Sequence, residues 1–234
     1  MKLNRLKKSA RLQTIEQLVT SNYTHIWDCC CDHGLLGINL LNGQVASTVH
    51  FVDIVPRILS ELQGKLEKYW QGDIDAWMIH CTDVKALAFD NYGKSETHLI
   101  IIAGVGGELM MEIISSLLAK IANIDAEFIL CPVHHNYEVR RFLIGHGMGL
   151  IDEHLVFENK RFYEIMHVSR KARSKISCIG DKMWELQNPL HRQYLQKKIK
   201  HYQTLVSNSK YDADDVNKSY QALLDKVMDI NERQ

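Results

Sequence analysis

The first 170 residues of the chain alternate short apolar segments with amphipathic ones, and this alternation constrains the fold more than any other feature. The clearest apolar segment, residues 98–103 (HLIIIA), is uninterrupted from Leu99 onward. Uninterrupted apolar strands are typical of parallel sheets that are covered on both faces. Strands that alternate with helices indicate a doubly wound sheet, because two parallel strands need a long crossover between them.

The predicted order is β-α-β-α-β-α-β-α-β-α-β-β, preceded by an amphipathic helix over residues 4–20. The predicted strands cover residues 24–31, 49–54, 76–81, 98–103, 127–130, 151–158 and 161–168. The last two are joined by a tight turn at Asn159 and Lys160, so they form an antiparallel hairpin that closes the sheet. The sequence therefore predicts an α/β fold with a Rossmann-like, doubly wound and mostly parallel sheet.

The pattern changes after Ser169 to two helical segments separated by a polar stretch. Leu195, Ile199 and Tyr202 recur at helical spacing in the first segment, and Val216 and Tyr220 do so in the second. We therefore predict two units. The first unit covers residues 1–169, includes a basic N-terminal helix and is expected to be the catalytic, cofactor-binding domain. The second unit covers residues 170–234 and is expected to be a basic helical hairpin that forms an antiparallel coiled coil.

Charge is segregated along the chain, although its net charge is zero. Residues 1–21 carry five basic side chains and one acidic, residues 24–169 carry 10 and 19, and residues 170–202 carry nine and two. Two basic ends around an acidic middle are typical of a protein that holds a polyanion. Two solvated helix faces would give the same pattern, so charge alone leaves both interpretations open.

Compartment and assembly are constrained less tightly. No apolar run approaches the length of a membrane span, and the basic N-terminus has no apolar segment of the kind that follows it in a secretory signal. Three of the six cysteines are consecutive, which does not make a disulfide framework. We expect a cytoplasmic protein without a membrane partner, and the sequence leaves a monomer and a weak dimer open.

An acidic residue follows each of the first three predicted strands. Asp28 and Asp32 belong to the first strand end, Asp53 to the second and Asp83 to the third. Ligands of doubly wound sheets bind at the carboxyl ends of the strands, so these side chains are expected to line one site. One acidic residue at each strand end suits a nucleoside ligand. A carboxylate accepts two hydrogen bonds from a ribose diol, and we assign this contact to Asp53. We assign the contact with the adenine base to Asp83 and Val84.

The remaining cofactor contacts are assigned to the neighbouring loops. If the ligand is a nucleoside that carries a methionine portion, the ammonium of that portion is expected beside the Asp28 carboxylate. Cys30, Asp32, His33 and Gly34 are expected to line the same end of the ligand. Ile54, Ala103 and Gly104 complete the predicted set. The glycine turn at Gly104 and Gly106 would expose backbone beside the transferred methyl group, whereas close packing of helix on sheet is its ordinary use.

A nicotinamide oxidoreductase is the obvious competitor on such a sheet. It needs G-x-G-x-x-G after the first strand, where this chain has Cys-Cys-Cys-Asp-His-Gly. The absence of a pyrophosphate cradle favours a cofactor without a pyrophosphate, such as S-adenosyl-L-methionine. No metal ligands are predicted. Neighbouring side chains of the cysteine triplet point to opposite faces of the strand, and the two histidines His134 and His135 are too few ligands to make a metal site.

Four short motifs resemble one family, the bacterial TrmK-like tRNA methyltransferases, which methylate N1 of adenine 22. Residues 11–14 (RLQT) resemble its N-terminal element, and residues 28–34 (DCCCDHG) resemble its D-x-G-x-D-H signature. Residues 102–107 (IAGVGG) resemble its I-A-G-M-G-G turn, and residues 151–153 with 162–164 resemble its I-D-E and Y-E strands. Two departures are Cys30, where the family has glycine, and the segment Cys131-Pro132-Val133-His134, which replaces a polar residue followed by proline and asparagine.

The resemblance implies a Rossmann-like domain with a C-terminal helical hairpin, S-adenosyl-L-methionine as methyl donor and tRNA as acceptor. On that basis Asp32, His33, Gly104 and Gly106 are expected to act at the reacting atoms, with Asp32 stabilising the charge that grows on the adenine. The residues expected to hold tRNA are Lys7, Lys8, Arg11, Pro132, His134, Arg170, Lys171, Arg173, Lys197, Lys198 and Lys200.

Two alternatives remain open on the sequence. A methyltransferase for a small molecule or a protein would not need the basic hairpin. A catalytically silent RNA-binding protein would keep the basic surfaces, and the side chain at Cys30 would weaken its cofactor binding.

Overall fold

The computed structural model describes residues 9–20, 23–121, 123–207 and 213–231. Its strands are β1 (Tyr23–Cys29), β2 (Ala46–Asp53), β3 (Trp77–Cys81), β4 (Thr97–Ala103), β5 (Asp125–Cys131), β6 (Gly149–Glu158) and β7 (Arg161–Ser169). Its helices are α1 (Ala10–Leu18), α2 (Leu35–Gly43), α3 (Pro56–Tyr69), α4 (Gly107–Lys120), α5 (Asn136–Gly145), α6 (Pro189–Ser207) and α7 (Ala213–Asn231).

The seven strands form one sheet in the order β3-β2-β1-β4-β5-β7-β6. All neighbouring pairs from β3 to β5 are parallel, and β7 runs antiparallel to both β5 and β6. The predicted doubly wound sheet with a closing antiparallel hairpin is therefore confirmed. The strand order reverses between β1 and β4, and the crevice at such a switch point is where this fold binds ligands.

Apolar side chains cover both faces of the sheet. On one face α4 and α5 contribute Met110, Ile114, Leu117, Val139 and Leu143, which pack with the β1, β4 and β5 side chains of that face. On the other face α1 and α2 pack on β1, β4 and β5, and α3 packs on β2. The central residues of β4 are completely buried, as their uninterrupted apolar sequence predicted.

One predicted helix, the crossover between β3 and β4, is wrong. In the described chain this connection holds only the 3-10 turn Val84–Ala86, followed by irregular backbone to residue 96. Val84, Leu87 and Phe89 pack onto the sheet from this loop, and an α-helix would direct Phe89, two residues after Leu87, away from the other two. The turn-forming residues 90–93 (DNYG) then prevent a helix from starting. An extended loop therefore covers this part of the sheet.

A buried network of charges joins the C-terminal segment to the sheet. The Arg140 guanidinium of α5 contacts the carboxylates of Glu153 on β6 at 2.7 Å and Glu164 on β7 at 2.9 Å. Glu164 also accepts the hydroxyl of Tyr194 on α6 at 2.7 Å. All four side chains are buried, so removing one partner would leave an uncompensated charge. The α6–α7 hairpin is thereby fixed on the α5 and β7 side of the sheet.

Candidate functional site

The loop after β1 has an unusual backbone that brings it close to β2. Cys30, Asp32 and Gly34 all have positive φ, at 57°, 50° and 68°. The Asp32 N–H donates to Oδ2 of Asp53 at 3.0 Å, and the Cys31 N–H donates to the Val52 carbonyl at 3.1 Å. The left-handed turns therefore fold the loop over the carboxyl end of β2. The Asp32 and His33 side chains are left exposed on top of it.

Asp28 lies beneath this loop and is buried. Its Oδ2 accepts the N–H of Gly37 in the first turn of α2 at 2.9 Å. Burial raises the pKa of the Asp28 carboxyl to about 7, the Gly37 N–H opposes that rise, and the negative charge of Asp53 adds to it. A Cβ at Gly37 would lie only 3.0 Å from Oδ2 of Asp28 and would overlap the Phe51 ring, so glycine is needed for this approach.

Asp53 organises the end of β2. Its Oδ1 accepts the N–H of Val55 at 3.1 Å, while its Oδ2 accepts the N–H of Asp32. A carboxylate has about four acceptor positions, so two remain for a diol. Ile54 beside it is 68 % exposed, which places an apolar side chain at the mouth of the site. This position fits the predicted ribose contact.

Asp83 completes the acidic edge but has local partners too. Its Oδ1 accepts the Lys85 N–H at 2.8 Å, and its Oδ2 lies 3.9 Å from the Lys85 ammonium. Val84 is buried, so it could offer a ligand only its backbone. Burial raises the pKa of the Cys30 thiol to about 11, and the charges of Asp53, Asp28 and Asp83 raise it further. Three of the four predicted carboxylates are therefore close enough to Cys30 to raise its pKa.

The glycine turn after β4 lies next to the end of β5. Ala103 ends β4 half-buried, and Gly104 follows in a left-handed conformation, with φ at 84°, and donates its N–H to the Cys131 carbonyl at 3.2 Å. Gly106 precedes α4, and a Cβ there would lie 2.7 Å from Cε1 of His134. The His134 ring therefore packs against the Gly106 backbone. This exposed imidazole belongs to the loop between β5 and α5 and lies beside the predicted methyl-transfer turn.

Arg11 has a different environment from the one predicted. Its guanidinium lies 4.9 Å from the centre of the Tyr163 ring, and its Nη1 lies 3.7 Å from the point where a Cβ of Gly104 would be. It also lowers the pKa of the Cys131 thiol against the larger effect of burial. Arg11 is thus packed beneath the Gly104 turn rather than projected toward solvent. Tyr163 belongs to the motif at residues 162–164 that the sequence singled out, but its contact with Arg11 was not predicted.

Three residues that are predicted to contact tRNA lie at the amino-terminal edge of the parallel strands, opposite the edge that carries Asp53 and Gly104. Because β7 is antiparallel, Ser169 pairs with Glu127 near the start of β5, and Arg170, Lys171 and Arg173 follow at the amino-terminal edge. The Lys171 ammonium forms an ion pair with Asp125 at 2.6 Å. The strands separate these residues from the Gly104 turn by roughly 20 Å, the length of a six-residue strand. They are therefore too far to share a small ligand with the carboxyl ends of β1, β2 and β4, which we call the cofactor edge because the predicted cofactor contacts lie there.

The other predicted tRNA contacts divide by exposure. Lys198 is directed inward, with its ammonium 3.6 Å from Glu164 and over the Tyr194 ring, and Pro132 is buried, so neither fits direct contact with RNA. Lys197 and Lys200 are exposed on α6. Lys7 and Lys8 lie outside the described residues. Lys160 and Arg161, which sequence analysis missed, are exposed at the cofactor edge in the turn between β6 and β7.

A family model described as "Methyltransferase domain" matches residues 8–166, which include every strand of the sheet except the last residues of β7. The chain belongs to the methyltransferase domain family. Among the described residues, no helix is both long and apolar enough to cross a membrane.

Individual relatives are more distant. The tRNA (adenine(22)-N(1))-methyltransferase of Bacillus subtilis (strain 168) is 26 % identical over 164 residues, which cover 70 % of this chain and 66 % of that protein. The chain therefore matches slightly less than two thirds of that relative's length.

Solved structures share the fold over almost the whole chain. Sp1610 of Streptococcus pneumoniae, in complex with S-adenosyl-L-methionine, has a TM-score of 0.74 at 21 % identity and covers 93 % of this chain and 100 % of its own. TrmK of M. capricolum, in complex with S-adenosyl-homocysteine, has a TM-score of 0.68 at 19 % identity and covers 95 % and 97 %. At these identities the likeness establishes the fold, including the C-terminal helices.

Proposed function

We propose that this methyltransferase takes S-adenosyl-L-methionine as methyl donor and methylates N1 of an adenine in tRNA, at position 22. One observation carries the proposal: at the switch point, the hydrogen bond from the Asp32 N–H to the Asp53 carboxylate joins the acidic ends of β1 and β2, beside the open glycine turn that follows β4. The B. subtilis relative named above supports the choice of acceptor.

The residues at the edge fit this cofactor. Asp53 has acceptor positions for a ribose diol, and the exposed Ile54 offers an apolar contact to an adenine ring. Asp28 and Asp32 offer negative charge to an ammonium. A Cβ at Gly104 would have only the Arg11 guanidinium within 4 Å, so this turn leaves open space above the backbone. We assign Asp28, Cys30, Asp32, His33 and Gly34 to the methionine end of the ligand, and Ala103 and Gly104 to the side that faces the acceptor.

The reaction requires the protein mainly to position the two reactants and to stabilise the charge that forms on the adenine. When bound, S-adenosyl-L-methionine supplies an electrophilic methyl group on a sulfonium. The adenine N1 has a lone pair, so no side chain has to remove a proton before transfer. The methylated base becomes cationic, and the exposed Asp32 carboxylate stabilises that charge. Gly104 and Gly106 let the base approach closely, and His134 flanks them.

The tRNA surface that we propose differs from the one predicted by sequence. Lys160 and Arg161 at the cofactor edge, with Lys197 and Lys200 on α6, supply exposed positive charge. Arg170, Lys171 and Arg173 lie at the opposite edge, where only a distant part of a large RNA could reach them. Charge contacts of this kind make RNA binding fall steeply with salt. Such an activity on tRNA is expected in the cytoplasm.

A pair of transcripts tests the proposal. One tRNA is made with adenine at position 22 and again with guanine there, and both receive labelled methyl groups from S-adenosyl-L-methionine with purified protein. We expect N1-methyladenosine in the first transcript and at least a 50-fold lower rate in the second. Equal labelling of both would contradict the assigned position, and no labelling of either would contradict tRNA as acceptor.

A further inference from the structure

Four histidines meet on one face of the sheet, in a row that runs from the amino-terminal ends of β1 and β4 to His80 near the carboxyl end of β3. His25 of β1 pairs in register with His98 of β4, and the two rings stack with centroids 4.8 Å apart. His50 of β2 and His80 of β3 extend the group across the sheet. His25 stands five positions before Cys30, roughly 16 Å of extended chain, so His25 and its neighbour His98 are distinct from the methyl-transfer site.

Two nitrogen atoms of this cluster are buried without a hydrogen-bond partner in the described chain. They are Nε2 of His25 and Nε2 of His98. The carboxylate oxygen Oε1 of Glu96 lies 3.7 Å from Nε2 of His25, which is too far for a hydrogen bond. One ligand atom from each of His25, His98 and Glu96 lies within 4.8 Å of the other two. Unpartnered buried polar atoms are costly, and two that converge with a carboxylate oxygen indicate a missing ligand.

We propose that His25, His98 and Glu96 bind one divalent transition-metal ion, with zinc as the best fit. Two imidazoles and a carboxylate are a common ligand set for zinc, whose bonds of about 2.0–2.2 Å would draw the three ligand atoms closer together than they are here. Hard cations such as magnesium prefer oxygen ligands and would not suit this set. The Glu96 side chain is about one third exposed, which offers an ion a path of entry.

The surrounding groups hold two of the three ligands in place. His25 presents Nδ1 to Nε2 of His50 at 3.0 Å, and His50 presents Nδ1 to Nε2 of His80 at 2.9 Å. If each ring donates its N–H to the next, Nε2 of His25 keeps its lone pair for the metal. Glu96 has its second oxygen held by the Gly93 N–H, which leaves Oε1 for the ion.

His98 sets the cost of binding. Its Nδ1 faces the indole N–H of Trp27 at 3.2 Å, so without metal its proton lies on Nε2. Ligation through Nε2 moves that proton to Nδ1 and breaks the hydrogen bond from Trp27. We therefore expect metal binding to change the environment of the Trp27 indole, which also stacks on His50 at 3.8 Å between ring centroids.

The ion would fasten the loop that replaces the predicted helix. Glu96 ends this loop and Asp83 begins it at the cofactor edge, so a metal on Glu96 would fix the loop to β1 and β4. A ligand that binds only the folded state raises stability by mass action. Metal binding can therefore be measured as a rise in stability, without any assay of methyl transfer.

Zinc binding to the untagged full chain tests the site, with magnesium as the hard-cation control. We expect one zinc ion per chain by calorimetry, a rise in melting temperature and a change in tryptophan fluorescence. His25→Gln and His98→Gln should each weaken zinc binding by at least about 30-fold and Glu96→Gln by roughly tenfold, in line with the loss of a ligand. His154→Gln, which removes an exposed histidine beside Asp152, should leave binding unchanged.

Two results would overturn the proposal. One is the absence of saturable zinc binding to the wild-type chain. The other is binding that survives in Glu96→Gln and His25→Gln but is lost in His134→Gln, which would assign the metal to the pair His134 and His135. Glu96 lies on the partly exposed loop, so its variant keeps the test decisive if a buried histidine variant fails to fold.

Discussion

The backbone N–H of Asp32 donates to the carboxylate of Asp53 at 3.0 Å, which ties the loop after β1 to the end of β2. Asp53 therefore has two roles in the proposed site, because the carboxylate that would hold the ribose also fixes the loop at the methionine end. Loss of Asp53 should disturb both ends of the cofactor.

Asp53→Ala should weaken binding of S-adenosyl-L-methionine by at least about 100-fold, because it removes the diol acceptor and the anchor for Asp32. Asp53→Asn keeps one acceptor oxygen and should lose less. Calorimetric titration with the cofactor measures both. Asp152→Asn, on the surface of β6, is the matched control and should bind normally. Equal affinity in Asp53→Ala and wild type would remove Asp53 from the site.

Cys30 has φ at 57°, a conformation that costs an L-residue about 1 kcal/mol or more. Cys30→Val should lower the free energy of unfolding by about 1–2 kcal/mol, because β-branched side chains tolerate this region worst. Cys30→Gly should be at least as stable as the wild type and should bind the cofactor no more weakly. Urea denaturation measures the stabilities, with Cys81→Val on exposed β3 as control. A valine variant as stable as the wild type would contradict the strain.

Gly106 and Gly107 should respond differently to alanine. A Cβ at Gly107 would lie 2.7 Å from the His134 carbonyl, which belongs to the backbone and cannot move away, so we expect a loss of about 2 kcal/mol or more. A Cβ at Gly106 meets the exposed His134 ring, which can rotate, so stability should fall by less than about 1 kcal/mol. Thermal and urea unfolding of the two variants compare them. The reverse order would show that His134 is rigidly held.

The raised pKa of Asp28 predicts a pH dependence with a definite sign. A carboxyl whose pKa is about 7 when folded and near 4 when unfolded favours folding below pH 4, and this contribution is lost as the pH rises through 7. Asp28→Asn keeps an acceptor for Gly37 and carries no charge. Relative to wild type, the variant without cofactor should therefore gain about 1–3 kcal/mol between pH 5 and pH 8. Parallel stability curves over that range would mean that Asp28 ionises freely.

The sequence predicted the fold because the hydrophobic pattern of each strand depends only on that strand and on the helices that cover it. The apolar run of β4 and the acidic residues after β1, β2 and β3 needed no knowledge of the rest of the molecule. The missing crossover helix shows the limit. Val84, Leu87 and Phe89 are apolar enough for a helix, but they contact a face of the sheet that only the tertiary structure defines.

The basic residues were the least predictable part of the site. The positive charge of these residues could be read from the sequence. The edge of the sheet on which they lie depends on the direction and length of β7, which places Arg170 and Lys171 far from the Gly104 turn. Lys198 depends on a buried partner, Glu164, that is distant in sequence. The histidine cluster was missed for the same reason, because its four members come from four strands.

Transfer of labelled methyl groups from S-adenosyl-L-methionine to unmodified bulk tRNA, followed by digestion to nucleosides, tests the central claim most directly. The account predicts label in N1-methyladenosine for the wild type and a loss of at least about 100-fold for Asp53→Ala, with normal transfer by Asp152→Asn. Label that reaches a different nucleoside would contradict the proposed reaction. Clear cofactor binding with no label in RNA would contradict tRNA as the acceptor.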